Sequence, residues 1–285
     1  MQVAAVVLVL GAAMAHAGWN LCAKAVPNGG ALFVWLTGVW STVFQLPVAI
    51  VAIAVEGGVA GAWWIAVLVS GCVHTGYFVL LQRGYAVGDL SVVYPLARGT
   101  GPMLSVGAAI LLFGERPGLA VLLGTAGVVV GVWVIGGLGS GGGRSWATGV
   151  GYGLGCGAMI ATYTVWDAHA VTALAVSPFV LMTGSSAVQT MLLGPYAYRR
   201  RAEVAGIWAR HRAPVLAVAV LSPLAYVLVL FAMRYAPVSM VAPARELSIV
   251  IGSVGAWLLL GEPNPARRLG GAVIVLAGVM AIAIS

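Results

Sequence analysis

Apolar residues follow one another along this chain in stretches of about 20–25, separated by short glycine- and proline-rich punctuation. A membrane-spanning helix needs about 20 consecutive apolar residues, so each stretch predicts one crossing. The first covers residues 2–26. The others fall at about 30–55, 63–86, 89–113, 118–138, 146–168, 177–198, 213–236, 238–260 and 266–284. The expected fold is therefore an all-α integral membrane protein of ten helices. Most separators are tight: Pro27-Asn28-Gly29-Gly30, Glu56-Gly57-Gly58, Gly114-Glu115-Arg116-Pro117 and Gly261-Glu262-Pro263. Two are long enough to be loops, Arg199–Arg212 and a central Gly/Ser linker of flexible composition at 139–145. Ala15-His16-Ala17 resembles a signal-peptidase site, but no basic segment precedes it, so the first run is read as a span.

One offset aligns distant motifs. A shift of 147 residues carries His16 to Tyr163, Trp19-Asn20 to Trp166-Asp167, Ala97-Arg98 to Ala244-Arg245, and Gly114-Glu115 to Gly261-Glu262. The same shift carries Gly124 to Gly271 and Gly131-Val132 to Gly278-Val279. The chain thus divides into a first repeat at 1–138, the linker at 139–145 and a second repeat at 146–285. Five helices per repeat is an odd number, so the second repeat enters the membrane inverted. Inverted repeats place a binding site near the midplane where the halves meet. Gly149, Gly153 and Gly157 recur every fourth residue, as do Gly127 and Gly131, and such faces let helices approach closely. Gly153-Leu154-Gly155-Cys156-Gly157-Ala158 matches a dinucleotide fingerprint in form only, because it follows no strand. No cofactor is expected.

The polar residues inside these runs are few and specific. At about 1.5 Å per residue, Arg98 lies roughly 13 Å past Asp89, near the middle of a roughly 30 Å hydrocarbon core. An arginine there costs about 2.5–3.5 kcal/mol on insertion scales, so it needs a partner or a watery cavity. Arg245 occupies the matching place in the second repeat. The candidate substrate-binding set is His16, Trp19 and Asn20 on the first helix, Tyr94 and Arg98 on the fourth, Tyr163, Trp166 and Asp167 on the sixth, and Arg245 and Glu246 on the ninth. Two buried arginines against two buried carboxylates suit internal pairing, and equally a site that changes partners as it binds. Pro95 and Pro243 each remove a backbone N–H just before an arginine, which predicts an interrupted helix at both places. A broken helix beside a guanidinium attracts a carboxylate, phosphate or phosphonate. Asp167 and Glu246 are the candidates for proton coupling, since burial favours the acid and a nearby guanidinium the anion. Thr37, Ser41, Gln45, Ser185 and Gln189 read first as interhelical hydrogen-bonding residues, His74 and His169 as ordinary packing residues, and Glu115 and Glu262 as caps of the helix connections.

Composition sharpens the class. Of 285 residues 61% are hydrophobic and only 7% charged, against about 25% charged in soluble domains, so most of the surface faces lipid. The net charge of +7 is concentrated in Arg199–Arg212. A basic loop beside a bilayer records topology or anionic headgroups, and nucleic acid is not an expected partner. Three scattered cysteines have neither metal-ligand spacing nor a disulfide framework. Among Lys and Arg outside Arg98 and Arg245, the connections after even-numbered helices hold only Arg116 and Arg234. Positive-inside logic therefore puts both termini on the extracytoplasmic side of the cell membrane.

With these motifs the chain resembles the drug/metabolite transporter superfamily, in its EamA-type branch. It is similar to a subgroup with His16-Ala17-Gly18-Trp19-Asn20 in the first helix and Gly88-Asp89-Leu90-Ser91-Val92-Val93-Tyr94-Pro95-Leu96-Ala97-Arg98-Gly99 at the fourth. Tyr163-Thr164-Val165-Trp166-Asp167 and Arg245-Glu246 complete the likeness, while Pro263 stands where the family usually has a basic residue. The resemblance implies two five-helix repeats and a non-enzymatic secondary carrier, commonly an exporter, with both termini usually drawn inside, against the charge count. The expected partners are a small anionic or zwitterionic solute and the lipid bilayer, with the chain acting as a monomer or homodimer. Competing readings are a flippase for a polar lipid headgroup, a membrane enzyme acting on lipid-linked substrates, and a non-transporting assembly or sensor subunit.

Overall fold

The computed structural model describes residues 1–26, 29–56, 61–87, 90–136, 144–260 and 265–285. Gly88 and Asp89, most of the central linker, and the Gly261-Glu262-Pro263 turn lie outside the described residues. Every regular element of the described residues is a helix: α1 (Val3–Lys24), α2 (Gly30–Glu56), α3 (Gly61–Val87), α4 (Leu90–Phe113), α5 (Leu119–Gly136), α6 (Arg144–Thr172), α7 (Pro178–Arg199), α8 (Arg201–Ala232), α9 (Val238–Ala244), α10 (Leu247–Leu260) and α11 (Pro265–Ile284). Six of these are long and apolar enough to cross a membrane, namely α1 to α5 and α8.

The distribution of side chains is that of a bundle in lipid. Val3, Val7, Val51, Trp64, Leu111, Leu112, Met191 and Val273 are among the large apolar residues turned outward, while Arg98, Asp167, Arg245 and Glu246 are buried. Lipid cannot hydrogen-bond a polar group, so the polar side chains gather in the interior. Small residues bring the helices together. A Cβ on Gly131 would lie 2.8 Å from the carbonyl oxygen of Gly271, and one on Gly124 would lie 2.6 Å from that of Gly278, so α5 and α11 touch backbone to backbone. Elsewhere α1 packs on α8, α2 on α7, α4 on α6, and α3 on both α6 and α7.

Two expectations require correction and a third is met. Arg199–Arg212 is not a loop: α8 begins at Arg201, and within it only His211 departs from helical geometry, at φ −131° and ψ 26°. Residues 201–210 are mostly good helix formers. Pro214 clashes with the carbonyl of Arg210, four residues back, and the turn at His211 relieves the clash. Second, α4 runs unbroken through Pro95. The proline sits near the start of the helix, where its missing N–H costs one hydrogen bond, and its ring lies against Gly136 of α5 at a distance that leaves no room for a Cβ. At Pro243 the expected interruption is present: the run at 238–260 is two helices, α9 and α10, parted at Arg245 and Glu246. There the N–H groups of Glu246 and Ser248 donate to Pro243 and Arg245, three residues back, at 3.1 Å each. The helix therefore tightens to 3₁₀ geometry where Pro243 interrupts the α-helical ladder, a feature typical of hinges and functional sites.

Candidate functional site

The α9–α10 break aims two consecutive charged residues inward, and the unbroken α4 brings a third against them. Glu246 is fully buried and meets both arginines. Its Oε2 lies 3.0 Å from Arg98 Nη2, and its Oε1 accepts a hydrogen bond from Arg245 Nε at 3.3 Å. Arg98 Nη2 also donates to Ser248 Oγ at 3.2 Å. One carboxylate thus serves two guanidinium groups, and the cluster carries one excess positive charge. Arg98 Nε and Arg245 Nη2 are buried and have no hydrogen-bond partner among the described residues. Buried donors are rarely left unpaired in proteins.

These arginines border a cavity lined by Ala12, His16, Arg98, Tyr163, Ala225, Tyr226, Val229 and Arg245. Its volume is about 40 Å³, room for about three or four waters at roughly 10–15 Å³ each. Arg245 Cζ lies 5.8 Å from the centroid of the Tyr163 ring, within cation–π range. Beneath it Ala97, Cys156, Ile160 and Tyr163 form a small apolar cluster, with Tyr77 and Tyr226 partly buried against it.

Of the residues expected to form the site, His16, Arg98, Tyr163 and Arg245 line the cavity together, and Glu246 joins them through its ion pairs. Tyr94 is within electrostatic reach of Arg98 and Glu246. Trp19 meets His16 edge-on at 4.9 Å, and its indole N–H has no partner among the described residues. Asn20 and Trp166 do not line the cavity. The Asn20 amide donates to the His16 carbonyl of its own helix at 2.7 Å, and the Trp166 indole donates to the Ala66 carbonyl of α3 at 3.0 Å. Asp167 is separated from Glu246: it accepts a 2.8 Å hydrogen bond from the Tyr226 hydroxyl and lies 3.9 Å from His74 Nε2. The sequence reading therefore missed Tyr226 and Ser248, and it gave His74 only a packing role. For His74 a signal existed in Ser70, one helical turn away on the same helix; for Tyr226 there was none.

Other polar groups hold the bundle. Ser41 donates to the Ala219 carbonyl of α8 at 2.9 Å, Gln189 to the Val34 carbonyl of α2 at 3.3 Å, and Ser185 to Ser70 Oγ at 3.0 Å. Glu115 accepts from the backbone N–H groups of Val238 and Ser239 at 2.9 and 3.0 Å, so it caps the start of α9. Among the described residues no three His, Cys, Asp or Glu side chains converge as metal ligands.

Residues 147–284 match the EamA-like transporter family, and the match places the chain in the drug/metabolite transporter superfamily. It is a multi-pass membrane protein of a transporter family. A solved crystal structure superposes with a TM-score of 0.79 over 100% of this chain and 98% of its own, at 14% identity, which shows a shared fold. No curated protein matches the sequence.

Proposed function

We propose that this protein is a secondary carrier that exports a small anionic or zwitterionic metabolite across the cytoplasmic membrane by alternating access, with proton coupling. The observation that carries this reading is the pair of guanidinium N–H groups, on Arg98 and Arg245, that have no partner among the described residues and lie beside a small cavity with one excess positive charge. A carboxylate, phosphate or phosphonate oxygen would satisfy both donors and neutralise that charge. Tyr163, Tyr94, His16 and Trp19 would supply the walls. The cavity is small in this conformation, so a metabolite enters when the helices part, and the 3₁₀ break at Arg245–Glu246 is the natural place for that movement.

The carrier is read as ten crossings in two inverted repeats, 1–138 and 146–285. The packing supports this. Under the 147-residue shift the α1–α8 pair becomes α6–α3, and the α4–α6 pair becomes α10–α1, each of which is also in contact. Gly124 meets Gly278 while Gly131 meets Gly271, the reciprocal exchange a two-fold axis produces. The Met1 ammonium donates to the Ala283 carbonyl at 2.9 Å, bringing both termini to one end, as an even number of crossings requires. The charge count orients that end to the extracytoplasmic side.

The test is a thermal-shift screen of purified protein against phosphates, phosphonates, carboxylates, amino acids and cationic drugs, followed by counterflow of each stabilising compound in proteoliposomes. Stabilisation by anions or zwitterions with counterflow is expected. Stabilisation by cations alone would refute the substrate class, and binding without counterflow would refute the carrier.

A further inference from the structure

A second ionisable cluster lies behind the cavity wall, apart from the Arg98–Glu246–Arg245 group. Asp167 on α6 is fully buried, and its Oδ1 has no hydrogen-bond partner among the described residues. Its Oδ2 accepts from the Tyr226 hydroxyl at 2.8 Å and faces His74 Nε2 at 3.9 Å. His74 Nδ1 lies 2.9 Å from the Ser70 carbonyl oxygen. A carbonyl only accepts, so Nδ1 carries the hydrogen, and the neutral ring presents the Nε2 lone pair to the carboxylate. Stacking on Tyr163 at 4.2 Å holds the ring in that orientation, with Tyr226 edge-on at 5.4 Å.

We infer that His74 and Asp167 form the proton-binding site of this carrier, that Tyr226 connects the pair to the cavity, and that Glu246 is a fixed counter-ion. The assignment rests on the carrier reading above. The pair has two places for one proton, Asp167 or Nε2 of His74, and either leaves the cluster with no net charge. Glu246 has no such freedom: it is the anion shared by two arginines, and protonating it would leave two buried cations facing each other.

The surroundings favour a self-contained pair. From α3 come His74 and Tyr77, from α8 Tyr226, from α4 Arg98 beyond Tyr163, and from the α9–α10 break Arg245, which acts on Asp167 at longer range, and Glu246. The neighbouring α7 contributes only the neutral Ser185, through Ser70. Tyr226 touches both regions, since it lines the cavity and bonds Asp167. As Asp167 gains a proton, the Tyr226 O–H bond that breaks is remade by a proton from the cavity, so one proton moves inward and the tyrosine is left neutral. Arg245 couples the two sites: it faces Glu246 and the cavity on one side and the field of Asp167 on the other.

Infrared difference spectroscopy of the purified protein between acid and alkaline pH tests this without a substrate. One carboxylic-acid C=O band from a buried group should titrate in the unaltered protein, persist in Glu246→Gln, disappear in Asp167→Asn and change its pH midpoint in His74→Gln. Tyr226→Phe removes a single hydroxyl and should shift the frequency of the same band, which keeps the test decisive should Asp167→Asn not fold. Absence of a titrating band, its survival in Asp167→Asn, its loss in Glu246→Gln, or an unchanged frequency in Tyr226→Phe would overturn the assignment. Failure of counterflow would instead count against the carrier and leave the proton site standing.

Discussion

Replacing Arg98 by lysine separates a binding role from a structural one. Arg98 Nη2 is engaged by Glu246 at 3.0 Å and Ser248 at 3.2 Å, while Nε has no partner among the described residues. Lysine keeps the positive charge, so Glu246 retains a counter-ion. It loses the planar fork that faces the carboxylate and the free donor at once. Removing one partner of a buried ion pair costs about 3–5 kcal/mol, and lysine avoids most of that. Its loss of the Ser248 contact should cost folding about 1–2 kcal/mol. For binding, one hydrogen bond to a charged acceptor is lost, worth about 1.5–3 kcal/mol. At about 1.4 kcal/mol per decade that is a weakening of roughly 10- to 150-fold. The assay is the ligand-induced thermal shift, titrated with the best anion from the screen. Arg98→Lys should keep a cooperative transition and need roughly 10- to 150-fold more ligand for the same shift, while Arg98→Met should be markedly less stable. An unstable Arg98→Lys protein whose surviving fraction binds the anion as before would refute the reasoning and make Arg98 a purely structural partner.

Three further outcomes are expected. Glu115→Ala removes the acceptor of two N–H groups at the start of α9 and should cost about 1–2 kcal/mol, read as a lower Tm, in the range of a lost helix cap. Gly131→Val places a branched side chain where a Cβ already lies 2.6 Å from Val275 Cγ2 and 2.8 Å from the Gly271 carbonyl; overpacking of this kind costs about 1–3 kcal/mol, and an unchanged Tm would mean that α5 and α11 are not in this contact. Ala205→Cys, in the basic part of α8, should react with a membrane-impermeant maleimide only after cells are opened; labelling of intact cells would reverse the topology.

What the amino-acid order determined by itself was the environment. Runs of about 20 apolar residues can bury their backbone only as helices in lipid, so the all-helical bundle was legible without coordinates. Arg98 and Arg245 stood out because charge at mid-membrane depth is expensive. Local chemistry also announced the Glu115 cap, since a glycine–glutamate junction between helices has few other uses. Tertiary structure decided what each polar group touches. The sequence shows two cations and two anions but not their pairing; only the crossing of α4 over the α9–α10 break gives both arginines to Glu246 and leaves Asp167 to His74 and Tyr226. Pro95 and Pro243 look alike in sequence, yet one packs on Gly136 within a continuous helix and the other tightens the chain into a 3₁₀ turn between two helices. Asn20 and Trp166 shared the polar pattern of the site but spend their donors on backbone carbonyls. Contacts between residues as far apart as Asp167 and Tyr226 arise from how helices pack, and helical periodicity carries no information about partners on another helix.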